Sequence, residues 1–126
     1  MTPLQVIVER LPWRVRMAEW IDPNLVIGGD DWSVTISCSW RVGSPAGVAY
    51  GSASSDAEDR VWDLIGADVV AIEPQATVGY ADPRLVLSSG QTLELFSDAD
   101  MDPYVLRSGE DIVIVGPFGT GSWPDL

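Results

Sequence analysis

Residues 32–42 read Trp-Ser-Val-Thr-Ile-Ser-Cys-Ser-Trp-Arg-Val, and this stretch decides the fold class. Apolar and polar side chains alternate along its whole length, from Trp32 to Val42. A period of two is typical of a β-strand with one buried face and one solvated face, as in an antiparallel sheet. The stretch therefore predicts one long strand that carries Trp40 and an inert, buried Cys38 on its core face.

Further strands are predicted on both sides of this one, separated by turns rich in Gly, Pro, Asn and Asp. They cover residues 13–21, 25–27, 48–50, 68–73, 76–80, 85–88, 92–97, 104–107 and 112–115. The sequence Asp-Pro-Asn-Leu-Val-Ile-Gly-Gly at 22–29 is echoed at 82–89 as Asp-Pro-Arg-Leu-Val-Leu-Ser-Ser. The similarity of the two segments indicates either a hairpin motif that occurs twice, as after a duplication, or a chance recurrence of Asp-Pro turns.

One helix is predicted over residues 55–65. Ser55 and Glu58 have the spacing of a capping box, and Gly66 is a typical C-terminal stop. An apolar stripe at helical spacing joins Ala57, Val61, Leu64 and Ile65. Trp62 falls at the flank of this stripe, where we expect it to be half-buried.

A second, short helix is indicated at the N-terminus, where Thr2 can cap it, Pro3 can begin it and Gln5 can complete a capping box. Alternation at Leu4, Val6 and Val8 also fits a strand, so the alternative stays open. The expected fold is α+β: a single domain over residues 1–126, mainly one bent antiparallel sheet or a small half-barrel, with the 55–65 helix packed on one face.

The composition argues against most enzyme chemistry. The chain has no histidine and one cysteine, so Ser-His-Asp, Cys-His and zinc sites are excluded by the residues present. Asp30 and Asp31 are the most suggestive carboxylate pair, but they occupy a predicted hairpin turn, where Asp is favoured for its geometry. We therefore expect a protein that is not an enzyme and that needs no cofactor.

A metal site is not supported either. Asp98, Asp100 and Asp102 alternate as in a calcium-binding loop. Pro103 and Gly109 then stand where such a loop requires Gly and Glu.

The formal net charge is −12, and its distribution favours a basic protein partner. Residues 1–20 contribute +1, from three Arg against two Glu, which leaves −13 for residues 21–126. This field repels nucleic-acid backbones and speeds association with a basic protein surface, although an acidic surface also serves solubility alone. The expected partner-binding residues are acidic or tryptophan: Asp30, Asp31, Trp32, Glu58, Asp59, Trp62, Asp98, Asp100 and Asp102.

The N-terminal residues lack a basic region followed by an apolar run, and no stretch has the length of a membrane span. With a single cysteine, nothing indicates an oxidising compartment. We expect a cytoplasmic protein without a membrane partner, and the oligomeric state is left open.

Two segments carry a family resemblance. They are residues 64–73, Leu-Ile-Gly-Ala-Asp-Val-Val-Ala-Ile-Glu, and residues 82–97, which end Gly-Gln-Thr-Leu-Glu-Leu-Phe-Ser. Over about residues 25–115 the chain resembles small bacterial proteins of uncharacterised families, including the DUF6188 type, and it is similar to immunity proteins of bacterial toxin systems. The resemblance implies a protein that binds and neutralises a cognate toxin, and it names no functional residues. A self-associating structural module and a carbohydrate or small-ligand binder with Trp platforms are the alternatives.

Overall fold

The structure is a computed structural model that describes residues 2–77, 79–97, 102–119 and 123. Two short helices and eleven strands are present in this part of the chain. The helices are α1 (Pro3–Glu9) and α2 (Ala57–Arg60), and α2 continues as a 3-10 helix, Val61–Leu64. The strands are β1 (Trp13–Arg14), β2 (Met17–Ile21), β3 (Asn24–Gly28), β4 (Trp32–Ile36), β5 (Ser39–Ser44), β6 (Gly47–Gly51), β7 (Asp68–Pro74), β8 (Pro83–Leu87), β9 (Thr92–Phe96), β10 (Tyr104–Ser108) and β11 (Ile112–Val115).

The strands form two antiparallel sheets, where the sequence predicted one bent sheet. The six-stranded sheet has the order β1-β7-β8-β9-β5-β6, and the five-stranded sheet has the order β11-β10-β4-β3-β2. Buried side chains from both sheets and both helices belong to one hydrophobic core. The predicted α+β class, with mostly antiparallel strands, is confirmed.

The 32–42 stretch is two strands rather than one. β4 belongs to the five-stranded sheet and β5 to the six-stranded sheet, and the chain crosses between them at Ser37 and Cys38. The alternation of buried and exposed side chains continues without a break across this crossing. Every second residue is buried: Val34, Ile36, Cys38, Trp40 and Val42. The pattern of burial was therefore predicted correctly while the sheet membership was not.

The predicted 13–21 strand also divides between the sheets, and there the phase changes. The Val15 N–H donates to the Ala67 carbonyl beside the six-stranded sheet, and the Arg16 N–H donates to Gly28 of the five-stranded sheet. Val15 is 1% exposed, whereas Met17, which a continuous strand would bury, is 39% exposed.

The two halves of the chain repeat one arrangement. β2-β3-β4 and β7-β8-β9 are three-stranded meanders, one in each sheet. The hairpin that follows each meander joins the opposite sheet: β5-β6 pairs with β9, and β10-β11 pairs with β4. The similar segments 22–29 and 82–89 form β3 and β8 with their flanking turns. Each is the middle strand of its meander, so the two segments occupy equivalent positions in the two sheets. This placement favours the duplicated-hairpin explanation over chance recurrence.

The N-terminal helix is confirmed. The Thr2 hydroxyl accepts the Gln5 N–H, and the Gln5 side chain accepts the Thr2 N–H, which completes the predicted capping box. Leu4 and Ile7 of α1 are buried in the core.

Two of the predicted elements are wrong in detail. The 55–65 helix begins with Asp56 as its N-cap and shows no side-chain capping bond, so the Ser55–Glu58 capping box does not form. Residues 76–80 are not a strand in the described part of the chain, where Tyr80 makes a single bridge with Gly119.

Neither α1 nor any other helix among the described residues is long and apolar enough to span a membrane.

Candidate protein-docking surface

The structure separates the partner-binding residues predicted from the sequence into two groups. Glu58, Asp59 and Trp62 lie together on α2 and the 3-10 helix, and Glu58 borders a depression shared with Ile21 and Asp22. Asp30, Asp31 and Trp32 lie at the turn between β3 and β4. Since β2 pairs with β3 so that Ile21 faces Asn24 and Met17 faces Gly28, the two groups lie near opposite ends of the β2–β3 hairpin. Asp102 is exposed just before β10, while Asp98 and Asp100 lie outside the described residues.

Trp62 is the most solvent-exposed tryptophan of the described residues. It is 67% exposed, so the prediction of a half-buried side chain is wrong. Trp62 lies just after the change from α-helix to 3-10 helix at Val61. In a 3-10 helix, residues three apart share a face, so Val61 and Leu64 both enter the core and Trp62 between them is turned to solvent. The same change leaves Ile65, predicted on the buried stripe, 45% exposed.

The carboxylates around Trp62 are not neutralised by the one cation of the segment. Arg60 stacks over the Tyr50 ring at 4.6 Å, donates to the Ala49 carbonyl at 3.5 Å and pairs with Asp56 at 3.6 Å. These contacts turn the guanidinium toward β6. The ion pairs of the described residues include no partner for Glu58, Asp59 or Asp63, so this part of the surface is negative.

The neighbouring strand extends this surface. α2 and the 3-10 helix pack beside β2, and a depression of about 300 Å³ is lined by Ile21, Asp22 and Glu58 with the neighbouring Trp20, Ser54 and Ser55. Ile21 is 69% exposed. We call the residues that combine exposed apolar side chains with unpaired carboxylates the Trp62 surface: Ile21, Asp22, Glu58, Asp59, Trp62, Asp63 and Ile65.

Trp32 is a core residue, which does not fit its expected role in partner binding. It is 7% exposed and stacks on Trp13 with ring centroids 4.8 Å apart and planes 10° apart. Its indole N–H donates to the Arg14 carbonyl at 3.1 Å, which satisfies the polar atom within the fold. The turn places Trp32 at the start of β4 with its ring against β1, and this pairing across two sheets is not visible in the sequence.

Asp30 and Asp31 border a cleft of about 490 Å³ whose charges are mixed. Its cations are Arg10, Arg14 and Arg16, held by ion pairs with Asp111, Asp68 and Asp30 respectively. The two hydrogen bonds between Arg10 and Asp111, of 3.0 and 2.8 Å, lower the pKa of the Asp111 carboxyl and raise that of the guanidinium. A cleft with three arginines does not suit a cationic partner, so Asp30 and Asp31 fit the predicted role less well than Glu58 and Asp59.

The remaining tryptophans offer little exposed ring surface. Trp13 and Trp123 are each 5% exposed, and Trp40 lies in the core as predicted. Trp20 is partly buried and meets Trp40 edge to face at 5.3 Å. Tryptophan platforms of the kind that bind sugars are therefore not formed by these side chains.

Cys38 and Asp82, two groups able to perform acid–base or metal chemistry, are engaged in the fold. Cys38 is buried at the crossing between the sheets. The Asp82 carboxylate accepts the Ser97 N–H at 2.8 Å, the Ser97 hydroxyl at 2.6 Å and the Tyr104 hydroxyl at 3.4 Å. In the described part of the chain, no three His, Cys, Asp or Glu side chains are grouped to hold a metal ion.

Comparisons with known proteins add no assignment: no family model matches the sequence, and neither a curated protein nor a solved structure is significantly similar to the chain.

Sequence reasoning missed four residues of the Trp62 surface: Ile21, Asp22, Asp63 and Ile65. Asp63 was visible as part of an acidic helix. Ile65 was expected on the buried stripe of the helix, and no face was predicted for Ile21; the structure shows that both side chains are exposed to solvent.

Proposed function

We propose that the chain is a binding protein whose Trp62 surface docks a basic protein partner. The observation that carries the proposal is the 67% exposure of Trp62 among carboxylates without ion-pair partners. Tryptophan is enriched among the residues that dominate binding energy at interfaces, and surrounding carboxylates add long-range attraction for a cationic surface.

The most specific form of the proposal is an immunity-type role, in which the partner is a cognate toxin and binding blocks its active site. Its support is the similarity of this small acidic chain to immunity proteins, together with the resemblance of residues 25–115 to small bacterial proteins of the DUF6188 type and the net charge of −12. In this role the protein performs no chemistry and needs no cofactor. The arginines of the Asp30 cleft are paired with carboxylates, so the proposed partner is a protein and not a nucleic acid.

The test uses the product of the gene adjacent to this one as the partner and measures its affinity for the purified chain. Trp62→Ala removes the exposed indole, and we expect a loss of at least about 2 kcal/mol, or about 30-fold in Kd. Tyr80→Ala is a matched control, since Tyr80 is 72% exposed and lies outside the Trp62 surface. Unchanged affinity of Trp62→Ala, or an equal loss in the control, contradicts the assignment of the surface.

A further inference from the structure

The cations of this acidic chain are concentrated at the Asp30 cleft. Three of its seven arginines, Arg10, Arg14 and Arg16, line the cleft together with two aspartates. Three other depressions of the described surface, of about 270, 300 and 340 Å³, are lined by more carboxylates than cations. The cleft volume of about 490 Å³ is that of a small-molecule site.

Two of these arginines are held by the fold through one nitrogen each. Arg14 donates from Nε to Asp68, and Arg16 donates from Nε to Asp30 at 3.1 Å. In the part of the chain that the structure describes, no hydrogen bond involves Nη1 or Nη2 of either side chain. The two side chains are 54% and 59% exposed. Each guanidinium therefore presents its terminal nitrogens to the cleft, in the geometry that grips a carboxylate with two hydrogen bonds.

Both arginines are positioned before any ligand binds. The Trp32 indole N–H donates to the Arg14 carbonyl at 3.1 Å, and the Trp32 ring stacks on Trp13. Val15 is 1% exposed, so Arg14 and Arg16 on either side of it project outward together. Two residues of extended chain separate them by about 7 Å, which is also the length of a dipeptide. Donors fixed in this way lose little freedom when a ligand binds.

The cleft also contains the carboxylate of Asp31. This residue is exposed, and it has no ion-pair partner among the described residues. Its carbonyl accepts the Gly109 N–H at 2.7 Å, which ties the turn to the end of β10. The terminal nitrogens of Arg10 do not serve Asp31, because they donate to Ser108 and Asp111. The cleft thus offers cationic and anionic groups to the same ligand.

We propose that the Asp30 cleft binds a zwitterion of dipeptide size, with its carboxylate on the terminal nitrogens of Arg14 and Arg16 and its ammonium group on Asp31. The charges select this class of ligand. A purely anionic ligand is repelled by the two aspartates and by the overall charge of −12, and a purely cationic ligand is repelled by the arginines. A zwitterion satisfies both kinds of group and adds no net charge. The site uses β1, the β3–β4 turn and β10, so it does not depend on the docking role of the Trp62 surface.

Titration of the ¹⁵N-labelled full chain with alanylalanine, followed by NMR, tests the proposal. At about pH 7 both termini of this dipeptide are ionised. We expect saturating shifts, at up to about 10 mM dipeptide, in the Trp32 indole N–H and in the amides of Arg14, Arg16 and Asp31. N-acetyl-alanylalanine lacks the ammonium group and alanylalanine amide lacks the carboxylate, and each is expected to bind at least about tenfold more weakly.

Two variants separate the contributions of the two kinds of charge. Arg16→Gln is expected to weaken alanylalanine binding at least about tenfold. Asp31→Asn is expected to weaken alanylalanine by a similar factor, but not to weaken the N-acetyl form, which has no ammonium group to lose. Arg84→Gln is the matched control, because Arg84 is also ion-paired but lies outside the cleft, and its affinity is expected to be that of the wild type.

Retained folding of each variant is verified by circular dichroism. The proposal is overturned if alanylalanine produces no saturating shifts, or if the shifts lie outside the Asp30 cleft. Equal binding of alanylalanine and its N-acetyl form also overturns it, since the cleft would then be an anion site. An equal effect of Arg16→Gln and Arg84→Gln contradicts the assignment of the arginines.

Discussion

Tyr104→Phe removes one hydroxyl from the centre of the core and leaves the ring in place. Tyr104 has no exposed surface, and its hydroxyl accepts the buried Phe118 N–H at 3.2 Å. The hydroxyl also donates to Asp82 at 3.4 Å, a long bond whose loss matters little because Asp82 keeps its two bonds from Ser97. The main consequence is a buried N–H without an acceptor.

Leaving a buried donor unsatisfied costs about 1–3 kcal/mol of the free energy of unfolding. For a chain of 126 residues, about 1 kcal/mol corresponds to about 4 °C, so Tm is expected to fall by about 4–12 °C. The ring contact with Phe118, with centroids 5.0 Å apart, is retained and does not add to the loss.

The same substitution changes how the free energy of unfolding depends on pH in the alkaline range. Burial raises the pKa of the Tyr104 hydroxyl above its ordinary value of 10.0, and burial also raises the pKa of Tyr50 to about 12. A raised pKa means that the folded state holds the proton more tightly, so this contribution to stability is complete below the unfolded pKa and is lost as pH rises toward the folded pKa. The wild type is therefore expected to lose stability above pH 10, and Tyr104→Phe to lose less over the same range.

Urea unfolding at pH 8 and at about pH 11 measures both effects. Tyr80→Phe is the control, since Tyr80 is 72% exposed and its hydroxyl makes no hydrogen bond in the described part of the chain. If the two variants differ by less than about 0.5 kcal/mol at pH 8, the account of the Tyr104 hydroxyl is refuted.

Two further predictions test the core beneath the Asp30 cleft and its separation from the Trp62 surface. Trp32→Ala removes a buried ring stacked on Trp13 and is expected to destabilise by about 3–5 kcal/mol in urea unfolding, whereas Trp62→Ala stays within about 0.5 kcal/mol. Equal losses of stability in the two variants would contradict the buried position of Trp32 and the exposed position of Trp62. Gly29→Ala puts a methyl group onto the Trp32 indole nitrogen and the Arg14 carbonyl, and is expected to cost about 1–3 kcal/mol with a change in near-ultraviolet circular dichroism. Gly119→Ala, where an added methyl has its nearest neighbour at 4.0 Å, is the control, and a neutral Gly29→Ala would contradict the close packing of this turn against Trp32.

Much of the burial pattern could be predicted from the sequence, because the alternation of apolar and polar residues indicates which side chains of a strand point into the core. Val34 to Val42 keep their phase across a crossing between sheets, so their burial was predicted although the crossing was not. Alternation cannot show which strand lies beside a segment, and for this reason one bent sheet was expected in place of two. At Met17 the crossing shifts the phase by one residue, and the local prediction fails.

The candidate site was predictable in part. Glu58, Asp59 and Trp62 were predicted as partner-binding residues, but the full exposure of Trp62 and the change to a 3-10 helix at Val61 were not predicted. Trp32 was misplaced because its partner in the stack, Trp13, lies in another sheet and far along the chain. Contacts of this kind follow from topology and not from local pattern.

The salt dependence of association tests the docking role of the Trp62 surface most directly. The association rate constant with the adjacent-gene product is measured from about 0.05 M to about 0.5 M NaCl, for two double variants that remove the same charge. Glu58→Gln with Asp59→Asn changes the Trp62 surface, and Glu9→Gln with Glu110→Gln changes exposed carboxylates elsewhere. We expect the wild-type rate to fall at least about tenfold over this range, and the first pair to flatten that dependence much more than the second. A rate that does not respond to salt, or an equal response of the two pairs, would contradict the docking of a basic protein on this surface.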